Sequence, residues 1–274
     1  MRASDFFNQH VVFRFNEFKQ FMESHRQGVS EKNCHMALYN YCKKGKLTHV
    51  RKGLYTVKND NPHLALTVSP FLIAGKATED ATLAYHTALE SHGIAYTDFN
   101  EHTYLTSYRT NDFMFQDQHY RAIYRSSLNQ KNEQASGIEI VTNLGTMIRR
   151  THLERTLVDV LDRPEISGGW EEVMRSLDRI AIFSAARAVD YALSIGHASI
   201  IAKLGYFFDH QRPEYLRIDQ SIIERLLPYI PNRPYYIDRK TPAGLSTYIK
   251  KWHLFVPNYL HKRAWEEPEN DLDH

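Results

Sequence analysis

Lys43, Lys44, Lys46, Arg51, Lys52 and Lys58 fall in one short stretch that contains no acid. Cations clustered in this way, rather than a high net charge, mark a surface suited to neutralising phosphate. Lys32, Asn33, Tyr39 and Asn40 precede them with types and spacing that can reach bases or phosphates. Other chemistry-bearing residues are weaker signals. His86 and Glu90 lie one helical turn apart and form an acid/base pair on paper. Without a second His, an HExxH spacing or a third ligand, a surface i,i+4 contact is the preferred reading. Asp159 and Asp162 are three apart, as metal ligands of a nuclease would be. No Lys and further carboxylate stand at matching positions, so surface and helix-end roles are preferred. Gly168 and Gly169 before Trp170 offer amides to an anion or simply a tight turn into a helix, and the turn is preferred. GxSxG, P-loop, GxGxxG and two-Cys zinc motifs are all absent from the sequence. No catalytic residue, metal or cofactor is therefore assigned, and the chain reads as a non-enzyme.

The elements beneath the basic run give it meaning. Asn16 reads as the cap of a helix through Ser24 that buries Phe18, Phe21 and Met22, and Gly28 breaks it. Ser30 caps a second helix, Glu31 to Lys44, with Cys34, Ala37, Leu38 and Tyr41 inward. Lys32, Asn33, Met36, Tyr39, Asn40 and Lys43 occupy its other face, and about 14 residues at 1.5 Å rise give a rod of about 21 Å, long enough to cross a major groove. Gly45 ends it. Lys46 to Val50 and Leu54 to Val57 then read as a hairpin turning at Gly53, with a basic tip. Helix, turn, helix, basic hairpin is the order of a winged helix-turn-helix, in which the second helix reads the major groove and the wing grips phosphate. Ser4 to Gln9 is at most a short first helix. Cys34, at a core position, reads as a small buried hydrophobe.

The whole chain has 274 residues, 34 Lys and Arg, 32 Asp and Glu, and a formal charge of +2. That near-neutral total hides two opposed parts: residues 1–62 carry +6 and residues 63–274 carry −4. Two domains are expected, 1–62 and 63–274. With two cysteines, no leader-like N-terminus and no long apolar run, a cytoplasmic protein without membrane association is expected.

Beyond Pro62, a helix is expected from Thr78 to His92. Three strands follow, His102 to Ser107, His119 to Arg125 and Ile138 to Thr142, in a small antiparallel sheet. A capping box at Thr151-His152-Leu153-Glu154 opens a helix that stops at Arg163-Pro164. Helices follow at Trp170 to Ile180, Ala185 to Ser194, Ser199 to His210 and Ser221 to Leu227, the last behind another capping box, Ser221 to Glu224. Trp252 to Val256 reads as a strand, and an acidic tail runs from Glu266 to Asp273. The expected class is α+β: a winged helix-turn-helix, then a larger mixed domain with a mainly helical C-terminal third.

Three stretches in order carry a family resemblance. They are Lys44-Gly45-Lys46-Leu47 with Val50-Arg51-Lys52-Gly53-Leu54-Tyr55; Tyr85-His86-Thr87-Ala88-Leu89-Glu90-Ser91-His92-Gly93; and Leu153 through Pro164 followed by Gly168-Gly169-Trp170-Glu171-Glu172. From about Val12 to Val256 the chain resembles the abortive-infection antitoxins of type IV toxin–antitoxin systems, the AbiEi family, described as transcriptional regulators of viral defence. The resemblance implies a repressor of its own operon, bound to operator DNA at inverted repeats. It also implies a C-terminal domain that counters a nucleotidyltransferase toxin, either directly or functionally. DNA contacts would fall on Lys32, Asn33, Tyr39, Asn40, Lys43, Lys44, Lys46, Arg51 and Lys52. A metal-dependent DNA nuclease and a plain repressor without antitoxin activity are the alternatives.

Overall fold

Phenylalanines Phe6, Phe13, Phe15 and Phe18 are buried with Cys34, Leu38 and Leu47 in a single apolar cluster, and the chain around them alternates short helices and strands so that each contributes one face. The computed structural model describes residues 3–26, 28–58, 68–125, 137–210 and 218–266. The order is α1 (Ala3–Gln9), β1 (Val12–Arg14), α2 (Phe15–His25), α3 (Glu31–Lys43), β2 (Leu47–Arg51) and β3 (Leu54–Val57). Strands β1, β3 and β2 form an antiparallel sheet in that order. The short first helix is present, with Phe6 as its buried residue. Helix α2 begins two residues earlier than a cap at Asn16 implies: the Arg14 amide donates to the Glu17 carboxylate at 2.7 Å, closing the first turn from outside it. Helix α3 has the expected cap, Ser30 accepting from the Asn33 amide.

The described chain divides into two compact units, residues 1–87 with 99–151, and residues 88–98 with 152–274. The boundary expected after Pro62 lies outside the described residues, as does the tail beyond Glu266.

The rest of the first unit comprises α4 (Pro70–Lys76), β4 (Thr82–Leu83), the start of α5 (Tyr85–Ser91), β5 (Glu101–Thr106), β6 (Phe113–Phe115), β7 (Gln118–Tyr124), β8 (Ile138–Asn143) and β9 (Thr146–Thr151). The strands form one six-stranded sheet, ordered β6-β7-β5-β4-β9-β8. Three of its strands match the predicted ones within a residue, but the sheet is larger than predicted and mixed, not antiparallel. β5 runs parallel to β7 because the short β6 lies between them in sequence and pairs β7 from the far side; β4 and β9 are also parallel. The single helix expected over Thr78 to His92 is instead a strand and a shorter helix. Residues 81–89 are buried on every side, so periodicity cannot separate the two states. Two-sided pairing of Thr82 and Leu83 with β5 and β9 holds them extended.

The second unit is helical around one apolar cluster that includes Leu157, Val173, Val189, Ile201, Phe207 and Trp252. Its elements are α6 (Leu153–Asp162), α7 (Trp170–Leu177), α8 (Ala185–Ile195), α9 (Ala198–His210), α10 (Gln220–Glu224), β10 (Tyr235–Tyr236), β11 (Ser246–Ile249), β12 (Leu254–Pro257) and α11 (Asn258–His261). Of its small sheet, β10-β12-β11, the sequence pattern predicts only one strand; β12 starts later than Trp252, because residues 250–252 form a 3₁₀ turn and His253 takes a positive φ of 51°. Both capping boxes move. Thr151 belongs to β9, and α6 is capped by His152, whose ring Nδ1 accepts from the Arg155 amide at 3.2 Å. Glu154 turns instead to the Ser184 amide and Arg187. Asp219, not Ser221, caps α10. Helix α7 ends at Leu177, short of Ile180.

Lys203 is buried and donates from Nζ to the carbonyls of Leu161 at 3.0 Å and Asp162 at 3.2 Å, the open end of α6. A cation there is favoured by the helix dipole and satisfies carbonyls that lack intrahelical donors. Burial pushes its ammonium below the ordinary lysine pKa.

Candidate nucleic-acid interface

Helix α3 buries Cys34 and Leu38 and leaves Lys32, Asn33, Tyr39, Asn40, Lys43 and Lys44 exposed. Tyr39 is 63% exposed and Met36 53%, so two large side chains stand open on this helix face among the described residues. The helix stops at Gly45, with a φ of 72°, where the Lys46 amide returns to the Tyr41 carbonyl at 3.0 Å. Lys46 then begins the hairpin, exposed beside the end of α3.

The hairpin turns through Lys52 and Gly53, with Gly53 at a φ of 77° that an L side chain rarely adopts. Its carbonyl accepts from the Phe15 amide at 2.8 Å, so the turn is anchored to the start of α2. Lys52 stands exposed at the tip and Lys58 exposed after β3. Among the described residues none of Lys32, Lys43, Lys44, Lys46, Lys52 and Lys58 has a carboxylate within ion-pair distance, unlike Lys19, which binds Glu31 at 3.0 Å. Eight of the nine expected contact residues are exposed, six on or at the end of α3 and two, Lys46 and Lys52, at the start and tip of the hairpin.

Arg51 departs from its expected role. Its guanidinium donates to Thr110 Oγ1 at 2.6 Å, lies near the Tyr104 hydroxyl at 3.5 Å and the Asn111 carbonyl at 3.4 Å, and stacks over the Phe113 ring at 4.6 Å. A cation held this way is a strut between the hairpin and the six-stranded sheet, not a free phosphate contact. Burial pushes the Tyr104 hydroxyl up to about 12, with Arg51 beside it pulling the other way. Thr110 and Phe113 had no sequence signal, because they lie far along the chain from Arg51. Replacing Arg51 with Ala is expected to lower stability by about 1–2 kcal/mol through the lost hydrogen bonds and ring contact, while leaving the salt dependence of DNA binding unchanged. Lys52→Ala should do the reverse, reducing the magnitude of the slope of log K against log salt by about one; urea unfolding and binding titrations at several salt concentrations measure both.

The other candidates resolve into packing. His86 is buried, not at the surface, and stacks on Phe99 at 4.0 Å between ring centres. Asp159 is buried too, not at the surface: Arg155 Nε donates to its Oδ2 at 3.0 Å and the Tyr191 hydroxyl to its Oδ1 at 3.0 Å. Gly168 and Gly169 take φ of 84° and 90°, and the Gly169 amide is spent on the Pro164 carbonyl at 2.8 Å, a tight turn into α7. Among the described residues no group of three or more His, Cys, Asp or Glu could hold a metal ion. Nor is any described helix long and apolar enough to cross a membrane.

Neither a family model nor a curated protein matches the chain. A solved structure shares its fold. The RV2827C protein from Mycobacterium tuberculosis is similar with a TM-score of 0.58, over 96% of this chain and 92% of that one, at 15% sequence identity. At that identity the likeness extends to the mixed α+β architecture and to no individual residue's role.

Proposed function

We propose that the chain is a DNA-binding autorepressor that doubles as the antitoxin of a type IV, abortive-infection toxin–antitoxin system. The observation that carries the DNA-binding half is the surface formed by α3 and the β2–β3 hairpin. It has an exposed Tyr, two Asn and six lysines that have no carboxylate partner among the described residues, on elements ordered helix, strand, helix, helix, hairpin. That order supports a winged helix-turn-helix, with α3 as the helix that enters the major groove and Lys52 at the tip of the wing. Phosphate contacts from the lysines position the module; Asn33, Tyr39 and Asn40 are the side chains with reach to base edges. A pair of copies on an inverted repeat upstream of the operon follows from matching protein symmetry to site symmetry.

The antitoxin half rests on the resemblance of the three sequence stretches quoted above, with a nucleotidyltransferase toxin as the partner. Two of those stretches, around His86 and from Leu153 to Pro164, are largely buried, which supports a role for them in packing rather than in chemistry. Co-expression with the neighbouring gene tests this half. The full chain should restore growth when that gene is toxic, and a toxic neighbour left unrescued by the full chain would sink it. A promoter–reporter fusion tests the repressor half: the full chain should silence it, and Lys43→Ala, Lys44→Ala and Lys46→Ala together should release it.

A further inference from the structure

The negative total of the C-terminal part conceals a second basic stretch. Residues 231–263 hold seven Lys and Arg against a single carboxylate, Asp238. That carboxylate is already occupied, accepting from the Lys240 amide at 2.9 Å and from Thr241 Oγ1 at 2.8 Å. This stretch builds the β10-β12-β11 sheet. One face of the sheet, with Leu254, Val256 and Ile249, packs on the apolar cluster of its unit. The opposite face carries a row of rings in register: Tyr236 pairs Phe255 across β10 and β12, and Tyr248 pairs Phe255 across β11 and β12. Tyr236 stacks on Phe255 at 4.6 Å and 15°, and Tyr248 lies against its other side at 5.0 Å. Tyr248, on the edge strand, is 42% exposed, so the stack stops at an open ring.

Cations flank the row at both ends. Arg233 precedes β10 and Lys250 follows β11, which strand polarity puts at the same end of the sheet; Lys240 follows β10 at the other. All three are exposed, and none has a carboxylate within ion-pair distance among the described residues. We propose that this face binds single-stranded nucleic acid, with bases extending the aromatic stack and the backbone running between the two groups of cations. An open stack of π faces bordered by positive charge accommodates any base and demands that the base be unpaired, which a duplex does not offer. The surface is built from other residues than α3 and its hairpin, and the proposal does not depend on the DNA-binding reading.

The test uses the full chain and fluorescently labelled RNA and DNA homopolymers of about a dozen nucleotides, with a duplex of equal length as comparison. The Tyr236→Ala and Tyr248→Ala double variant should lose at least about tenfold in affinity for single strands and none for duplex, and Tyr248→Phe should retain single-strand binding. Arg233→Glu with Lys250→Glu should flatten the salt dependence of single-strand binding. Lys43→Ala, Lys44→Ala and Lys46→Ala together should leave single-strand binding in place while weakening duplex binding. Single-strand affinity unmoved by the tyrosine variants, or lost with the α3 lysines alone, would overturn the proposal and leave the face as a surface for another protein.

Discussion

Gly205→Ala is expected to destabilise the C-terminal unit by about 3 kcal/mol, the upper part of the range for overpacking a filled core. A Cβ built at Gly205, in the middle of α9, would stand 2.2 Å from two ring atoms of Trp252 and 2.6 Å from a third. Real carbon contacts do not come that close, and the ring has little room to retreat. Trp252 is fully buried, and its indole Nε1 donates to Asp209 Oδ2 at 2.7 Å, which fixes the ring plane against the helix. The absent side chain at Gly205 is therefore what lets the turn before β12 lie on α9. Removing the indole as well should be non-additive: in Gly205→Ala with Trp252→Leu, the new methyl enters space the ring has vacated, and the double variant should be less destabilised than the sum of the singles. All three tryptophans, Trp170, Trp252 and Trp265, lie in this unit, so tryptophan fluorescence in a urea titration follows it selectively in the variants that retain them. Wild-type stability in Gly205→Ala would contradict the packing of Trp252 on α9.

The second large effect concerns binding. Replacing Lys43, Lys44 and Lys46 with Ala should weaken duplex binding about a hundredfold near physiological salt and flatten the salt slope by about 3, since each lysine released from phosphate removes about 0.9 from the slope. The three side chains are exposed, so stability should change little. Arg51→Ala makes the contrast: one more cation is removed, yet the slope stays where it was, because that guanidinium is committed to Thr110 and the Phe113 ring. Net charge alone would treat the four substitutions alike. Their different partners predict different results, and binding titrations from 50 to 200 mM salt separate them.

Local signals were legible in the sequence where one side of an element faces solvent. Ser30 and the 34/38 spacing predict α3 because that helix buries only one stripe, and Gly45 and Gly53 mark turns that need positive φ. The three strands around 102, 119 and 138 were visible as β-prone runs, but β4 was not, since residues 81–89 are buried whichever state they adopt. Parallel pairing of β5 with β7 depends on β6, a three-residue strand too short to stand out. Arg51 shows the limit on the site itself: its type and position at the hairpin tip fit a phosphate contact, and only the non-local approach of Thr110 and Phe113 reassigns it. His86 and Asp159 were likewise read as surface residues from spacing, and their burial comes from Phe99, Arg155 and Tyr191. The second basic stretch was present in the sequence all along. A count over 63–274 averaged it away, whereas a moving window over 231–263 reveals it.

The central claim is that the exposed lysines, asparagines and tyrosine of α3 and its hairpin read a particular DNA site. The most direct measurement is the affinity of the full chain for the duplex upstream of its own gene, compared at fixed salt with a shuffled duplex of the same composition. The account predicts binding to the upstream duplex tighter by at least about a thousandfold, the low end of specific over non-specific recognition, with Asn33→Ala and Asn40→Ala collapsing the difference. Equal affinity for the two duplexes would contradict it.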